Sequence, residues 1–238
     1  MKKRLLCGAL VVLLTGLQGR ANDAGGLVYP VDYPHRARAE LMYERVQRGV
    51  EITSETPSVD ADLDADVFAL RLHTGLGQYA RLDFDLGGMS AGRGSYSFMG
   101  GVGLRYLAFE HEAWRGGAFG QVRYAPDLSD QMNGSGSTHA RVSYDLTEAD
   151  AGFLVAYRTR VAEGFTVTPY AGPILSILRL SGRARDEAGV RRRFRADEDR
   201  LPGVAAGLNF EFRDMNGIRI EARYFDDISL SAAAAFVF

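Results

Sequence analysis

Thirteen charged side chains fall at alternate positions along short stretches of this chain, and their types decide what chemistry is open to them. They are Arg71, Arg81, Asp83, Asp85, Arg105, Arg115, Arg123, Arg158, Arg160, Glu211, Arg219, Glu221 and Arg223. A period of two puts the charges of each stretch on one side of an extended strand. Arginine carries a planar fork of donors that matches a carboxylate and stays protonated at any physiological pH. Strands that turned these sides toward one another would hold an Arg–carboxylate network, a chemistry of bracing and filling.

Other groupings carry less. Asp60, Asp62, Asp64 and Asp66 are spaced like calcium ligands, but Ala65 stands where an EF-hand needs Gly and Arg71 where it needs the bidentate Glu. They share parity with Phe68, Leu70 and Leu72, which leaves two readings, a solvated acidic loop or an outer rim. Arg191-Arg192-Arg193-Phe194-Arg195 is flanked by Asp186, Glu187, Asp197, Glu198 and Asp199. Those acids cancel its field, so it reads as a charged loop with no nucleic-acid partner. Gly100-Gly101-Val102-Gly103 lies within a strand, where small residues relieve crowding, and opens no helix to cradle a phosphate. His35, His73, His111 and His139 have no ligand spacing, so neither a metal nor a cofactor is expected.

The elements that would position the charges are strands. Arg36–Thr53 changes apolar parity between Tyr43 and Val46, which predicts a bulge. Val67–Leu76, Tyr79–Leu86, Tyr96–Tyr106 and Ala113–Tyr124 alternate cleanly. Thr138–Leu146 and Phe153–Val161 are in opposite phase, which predicts a second bulge near 147–151. Phe165–Leu180 is apolar on both sides. Val204–Phe212, Ile218–Tyr224 and Ile228–Phe238 complete about ten strands, with eight the alternative. Short links at 75–78, 110–112, 162–164 and 214–217 alternate with long ones at 54–66, 89–95, 126–137 and 181–202. Asp226-Asp227 is the exception, a short link where a long one is due. The reading is a closed, antiparallel, up-and-down all-β barrel.

Two ends of the chain set the compartment. Lys2, Lys3 and Arg4 precede an apolar run from Leu5 to Leu17, and Gly19 and Ala21 supply small residues for cleavage, so 1–21 is expected to be a signal peptide. Its removal takes four of the 28 basic residues and none of the 30 acidic ones, leaving a net charge of −6, no lysine and no cysteine. Residues 22–35, with Gly25-Gly26, Pro30 and Pro34, have no periodicity and read as a periplasmic leader, with the barrel over 36–238. At the other end, Ile228, Leu230, Ala232, Ala234, Phe236 and Phe238 make one wholly apolar side of an uncharged strand.

That last strand resembles the terminal strand of bacterial outer-membrane β-barrels, and Thr168-Pro169-Tyr170-Ala171-Gly172 resembles a segment of small barrels of that class. The resemblance implies a Gram-negative cell-envelope protein of OmpA-like or porin-like type, and a monomer in contact with outer-membrane lipid and lipopolysaccharide. Phe236 and Phe238 would be its signal to the barrel assembly machinery. Lipid forbids open sheet edges, so spanning strands must close on themselves. The role expected is structural, a small channel, or contact with a surface ligand through outer loops. Two alternatives stay open. One is an outer-membrane hydrolase such as the omptins or lipid A deacylases, for which Asp226-Asp227 and Ser137-Thr138-His139 are the nearest fragments. The other is a secreted, soluble, lipocalin-like barrel. In a barrel this narrow the thirteen charges are expected to plug the pore.

Deleting Phe238, or replacing Phe236 and Phe238 by Ser, should leave the chain secreted but unassembled. Heat-modifiable migration on gels reports closure, and normal amounts of folded protein in the outer membrane would contradict this reading.

Overall fold

The computed structural model describes residues 38–53, 59–76, 79–92, 94–133, 139–185, 191–198, 202–212, 217–225 and 227–237. They form strand segments β1 (Arg38–Thr53), β2 (Val59–Leu76), β3 (Ala80–Ala91), β4 (Ser97–His111), β5 (Trp114–Asn133), β6 (His139–Tyr157), β7 (Thr159–Ala162), β8 (Phe165–Arg185), β9 (Arg191–Glu198), β10 (Pro202–Phe212), β11 (Gly217–Tyr224) and β12 (Ile228–Val237). Every pairing is antiparallel. β7 prolongs β6 past Arg158, and β9 and β10 lie end to end along the single long β8. The segments therefore make ten barrel strands, closed where β12 pairs with β1 from Arg38↔Val237 to Arg45↔Leu230.

One end carries the short turns and the start of β1 beside the end of β12; it is called proximal here and the opposite end distal. Around the middle, the outward side chains are apolar and exposed: Phe84 and Leu86 on β3, Val102 and Leu104 on β4, Leu208 on β10, Ile218 and Ile220 on β11, Ile228 and Leu230 on β12. On β8 this belt runs over 13 residues from Phe165 to Ile177 with its aromatic edge included, enough for the 9–11 tilted residues that cross a hydrocarbon layer. Aromatic pairs edge it at both ends. Tyr43–Phe68 and Phe68–Tyr96 lie distally, with ring centroids 4.8 and 6.0 Å apart, and Trp114–Tyr157 and Phe165–Phe212 proximally, at 4.9 and 5.4 Å. An apolar band between two aromatic girdles is the exterior of a transmembrane barrel.

Distal to the belt the polarity of the wall inverts. Arg45, Gln47 and Glu51 of β1 and Thr147 and Ser143 of β6 point outward and are exposed, while Val46, Val50, Val142, Tyr144 and Leu146 point inward and are buried. With Leu63, Ala65, Val67, Leu128, Leu178, Leu180 and Ala196 they form one apolar cluster inside the barrel. A strand outside the membrane gains by burying its apolar side against its neighbours, as in a water-soluble sheet.

This inversion corrects two expectations. β1 and β6 hold unbroken register with their neighbours through the positions where bulges were predicted. Their apolar residues change parity because the surroundings change, lipid outside giving way to an apolar lumen. The both-sided apolar character of β8 has the same origin, with Leu178 and Leu180 inward and Leu175 and Ile177 outward. The long links also shrink: β2 begins at Val59, β5 reaches Asn133, and β8 and β9 occupy most of 181–202. Register shifts do occur, between Leu107 and Phe109 of β4, between Ala125 and Leu128 of β5, and between Arg160 and Ala162 of β7.

The short link at Asp227 has a structural counterpart. The β11–β12 hairpin stops early, and β9 crosses over it to pair directly with β1, from Val50↔Glu198 to Thr53↔Arg195. Phe225 fills the space beneath the crossing, 4% exposed, with the Arg48 guanidinium carbon 3.4 Å from its ring centre. Gly203 permits this, since a Cβ there would stand 2.5 Å from the Phe225 ring.

The inversion is testable with single arginines. Ile220→Arg, on the lipid side near mid-belt, should cost roughly 2–4 kcal/mol of folding free energy. Val46→Arg should also unfold the distal half, whereas its neighbour Gln47→Arg should be tolerated. Urea titration of the protein in micelles measures all three, and equal tolerance of Val46→Arg and Gln47→Arg would contradict the assignment.

Candidate functional site

The inward positions of the membrane-spanning half, continued distally as far as Arg48, bring eight arginines and eight carboxylates into one lumen. Arg38, Arg48, Arg71, Arg81, Arg105, Arg123, Arg219 and Arg223 face Glu40, Glu44, Asp83, Asp85, Glu148, Asp150, Glu211 and Glu221, with His73 among them, and all are buried. Strand periodicity puts each there. On β3, for instance, Arg81, Asp83 and Asp85 alternate with the lipid-facing Leu82, Phe84 and Leu86.

The charges meet in two clusters. In the proximal one His73 lies between two carboxylates, Nδ1 2.6 Å from Asp83 Oδ1 and Nε2 3.2 Å from Glu40 Oε1. Asp83 also accepts from Arg105 Nε, and from Arg81 Nε at 3.1 Å. Arg38 and Arg219 each stand 3.1 Å from Glu40. In the central cluster Arg71 grips Asp85 with two nitrogens, at 2.6 and 2.7 Å. Arg123 reaches Glu44 of β1 at 2.7 Å, Asp85 of β3 at 3.2 Å and Glu148 of β6 at 3.4 Å. Arg223 donates to Glu221 at 2.7 Å and Asp150 at 3.1 Å, and Tyr170 Oη donates to Glu221 at 2.7 Å. Within this cluster Gln121 accepts from Arg71 at 3.4 Å and donates to Asp150 at 2.7 Å. Gly101 makes room for the central arginine, since a Cβ there would come within 2.9 Å of Arg123 Cγ.

Of the thirteen residues singled out in the sequence, ten take part in these buried contacts, counting Glu211, which accepts from Asn209 Nδ2 at 2.9 Å. Arg115 and Arg158 stand at the proximal mouth. Arg115 pairs with the half-exposed Glu110, and Arg158 lies 3.5 Å from Glu211. Arg160 departs from expectation: it is exposed at the proximal turn, because the strand breaks at Arg158 and the register shifts after it. Arg38, Glu40, Glu44 and Arg48 of β1 and Glu148 and Asp150 of β6 were missed. Parity alone held the signal, and it was misread as bulges on those same two strands.

The remaining candidates scatter. Asp64 and Asp66 face outward as predicted, Asp64 paired with Arg45 at 2.8 Å and Asp66 accepting from Tyr43 Oη at 2.7 Å. The side chains of Asp60, Asp62 and His139 lie outside the described residues, as do His35, Ser137, Thr138, Asp226, Phe238, the signal segment and the leader. Phe236 lies on the outward side of β12. Among the described residues no cluster of three or more His, Cys, Asp or Glu is arranged to hold a metal. On the distal exterior, slight burial pushes the Asp197 carboxyl up, but hydrogen bonds from Arg179 and Arg195 outweigh it and hold the group below the usual range.

No family model and no curated protein matches the sequence. Solved structures match it in fold. The outer membrane protease OmpT of Escherichia coli is 10% identical, aligns over 86% of this chain and 97% of its own, and gives a TM-score of 0.52. The translocator domain of the autotransporter NalP from Neisseria meningitidis is 14% identical over 99% and 95% of the two chains, with a TM-score of 0.46. Ail of Yersinia pestis is 13% identical over 86% and 99%, with a TM-score of 0.37. The chain has the fold of the bacterial outer-membrane β-barrels. At these identities the likeness is one of fold alone.

Removing one partner from a buried ion pair leaves an uncompensated charge, which costs about 3–5 kcal/mol. Arg123→Met should therefore destabilise the barrel by that order, since it strands Glu44, Asp85 and Glu148 together. Arg71→Met with Asp85→Leu should recover much of what Arg71→Met alone loses. Urea unfolding in micelles, followed by the fluorescence of Trp114, measures both. Equal losses for the single and double variants would show that the pair is not coupled.

Proposed function

We propose that this protein is a sealed outer-membrane barrel that serves as a rigid mount for the structure above its lipid belt, and that it acts by contact at the cell surface. The observation that carries the proposal is the filling of the lumen. Sixteen buried charges, joined by ion pairs, fill the lumen from the membrane half up to Arg48, and an apolar core built on Val46, Leu128, Leu146 and Leu178 closes the distal half. A solute would have to break buried ion pairs and then cross a dry apolar layer, two barriers of different kinds in series. Eight- to ten-stranded barrels are narrow enough for side chains to fill them.

The orientation follows from the turns. Short proximal turns face the periplasm and the long distal strands stand outside the cell, the usual arrangement in such barrels. On this reading 1–21 is cleaved, residues 22–35 remain in the periplasm, and the protein works as a monomer. A hydrolase would need its reactive groups at an accessible surface. The one described His–Asp pair, His73–Asp83, is sealed in the lumen at 2% and 3% exposure.

Purified protein in planar bilayers should be electrically silent at moderate voltage. Stable, anion-selective steps of large conductance in the unmutated protein would overturn the sealed-barrel reading in favour of an Arg-lined channel.

A further inference from the structure

Four distal strands, β5, β6, β8 and β9, carry an outward cleft that a sealed lumen does not require. It is a cavity of about 450 Å3 bordered by Asp127, Ser143, Asp145, Ser181, Arg183 and Arg193, with Tyr144, Gly182 and Phe194 behind it. The register sets Arg183 of β8 directly opposite Arg193 of β9. Like charges directly opposite each other destabilise an antiparallel pair. Both side chains are exposed, and among the described residues neither has an ion-pair partner.

The next arginines toward the membrane are placed differently. Arg179 and Arg195 share Asp197, at 2.8 and 2.9 Å, so their charge is partly met within the protein. Among the described residues the Arg183–Arg193 pair meets no such carboxylate. Across the cleft the chain offers groups of another kind. Asp145 accepts from the backbone amide of Asp127 at 3.0 Å, and Asp127 is held at φ 51° within the β5 register shift. Ser143 and Ser181 add hydroxyls beside it. Two guanidiniums suit a phosphate, and carboxylates with serine hydroxyls suit the hydroxyls of a sugar.

The position of the cleft selects the source of such a ligand. The lipid belt on β8 ends at Ile177, and Arg183 lies six residues beyond it. At about 3.3 Å per residue that is roughly 20 Å along the strand, and nearer 15 Å in height once the barrel tilt is allowed for. A headgroup anchored in the outer leaflet stands at that level.

We infer that the cleft between Arg183, Arg193 and Asp145 binds a phosphorylated sugar of the outer-leaflet glycolipid, lipopolysaccharide. The inference rests on the distal end facing outward, as proposed above, and is independent of whether the lumen conducts. The full chain, folded in detergent free of lipopolysaccharide, is titrated with lipopolysaccharide, with its dephosphorylated form, with glucose 1-phosphate and with inorganic phosphate.

Dephosphorylation should weaken lipopolysaccharide binding at least tenfold, as should Arg183→Gln with Arg193→Gln. Glucose 1-phosphate should bind the unmutated protein more tightly than inorganic phosphate does. Arg45→Gln, outside the cleft and paired with Asp64, should leave affinity unchanged. Heat-modifiable migration confirms that each variant is folded. Should the double variant fail to fold, Arg193→Gln and Asp145→Asn are tested singly, each with a loss of at least threefold expected. Lipopolysaccharide affinity within twofold of wild type in the folded variants would overturn the inference, as would equal binding of the dephosphorylated form. Inorganic phosphate binding as tightly as glucose 1-phosphate would overturn the sugar assignment. Because binding is measured in solution, these outcomes are separate from silence or conductance in bilayers.

Discussion

A buried arginine cannot shed its proton, and the architecture follows from meeting that demand in a ten-strand lumen. A lysine or histidine taken out of water can neutralise itself, whereas a guanidinium must be given carboxylates. Arg123 shows how this shapes the protein. Its three acidic partners come from β1, β3 and β6, so one side chain ties strands that are far apart in sequence and on different parts of the wall. Glycine at position 101 is needed on the adjacent strand for that arginine to lie flat. With eight such cations against eight anions, the network is balanced as a whole although few of its members are balanced pairwise.

The same strands solve a second problem beyond the membrane with the opposite pattern. In lipid the wall is apolar outside and charged within; past the aromatic girdle it is polar outside and apolar within. β6 makes both halves, Tyr144 and Leu146 packing inward a few residues from Glu148 and Asp150. The distal core anchors the upper strands against one another, and the charged clusters anchor the lower ones.

Much of this was legible from alternation. Strand number, closure, the apolar side of β12 and most of the charged inward positions follow from a period of two. Where the reading failed, it failed for one reason. A change of apolar parity along a strand can mean that the chain has slipped by a residue or that its surroundings have changed, and β1 and β6 read the same either way. Choosing the slip hid Glu40, Glu44, Glu148 and Asp150, and with them half of the lumen's carboxylates. Arg160 failed differently, since no sequence pattern marks the strand break at Arg158. The cleft at Arg183 and Arg193 was invisible because both residues fell in what read as a charge-cancelled loop. Only strand register sets them opposite one another.

β1 is joined to different partners along its length, to β12 from Arg38 to Arg45 and to β9 from Val50 to Thr53. A ring with such a split border has two clasps, and they need not fasten together. The lower clasp can lock within the bilayer once the final strand arrives, while the upper one waits for a segment made earlier in the chain to swing over the β11–β12 hairpin and trap Phe225 beneath it. A barrel fastened only below would already span the membrane, with its upper rim ajar and its apolar core wet. The two borders share no pairing, so neither is built from the contacts of the other.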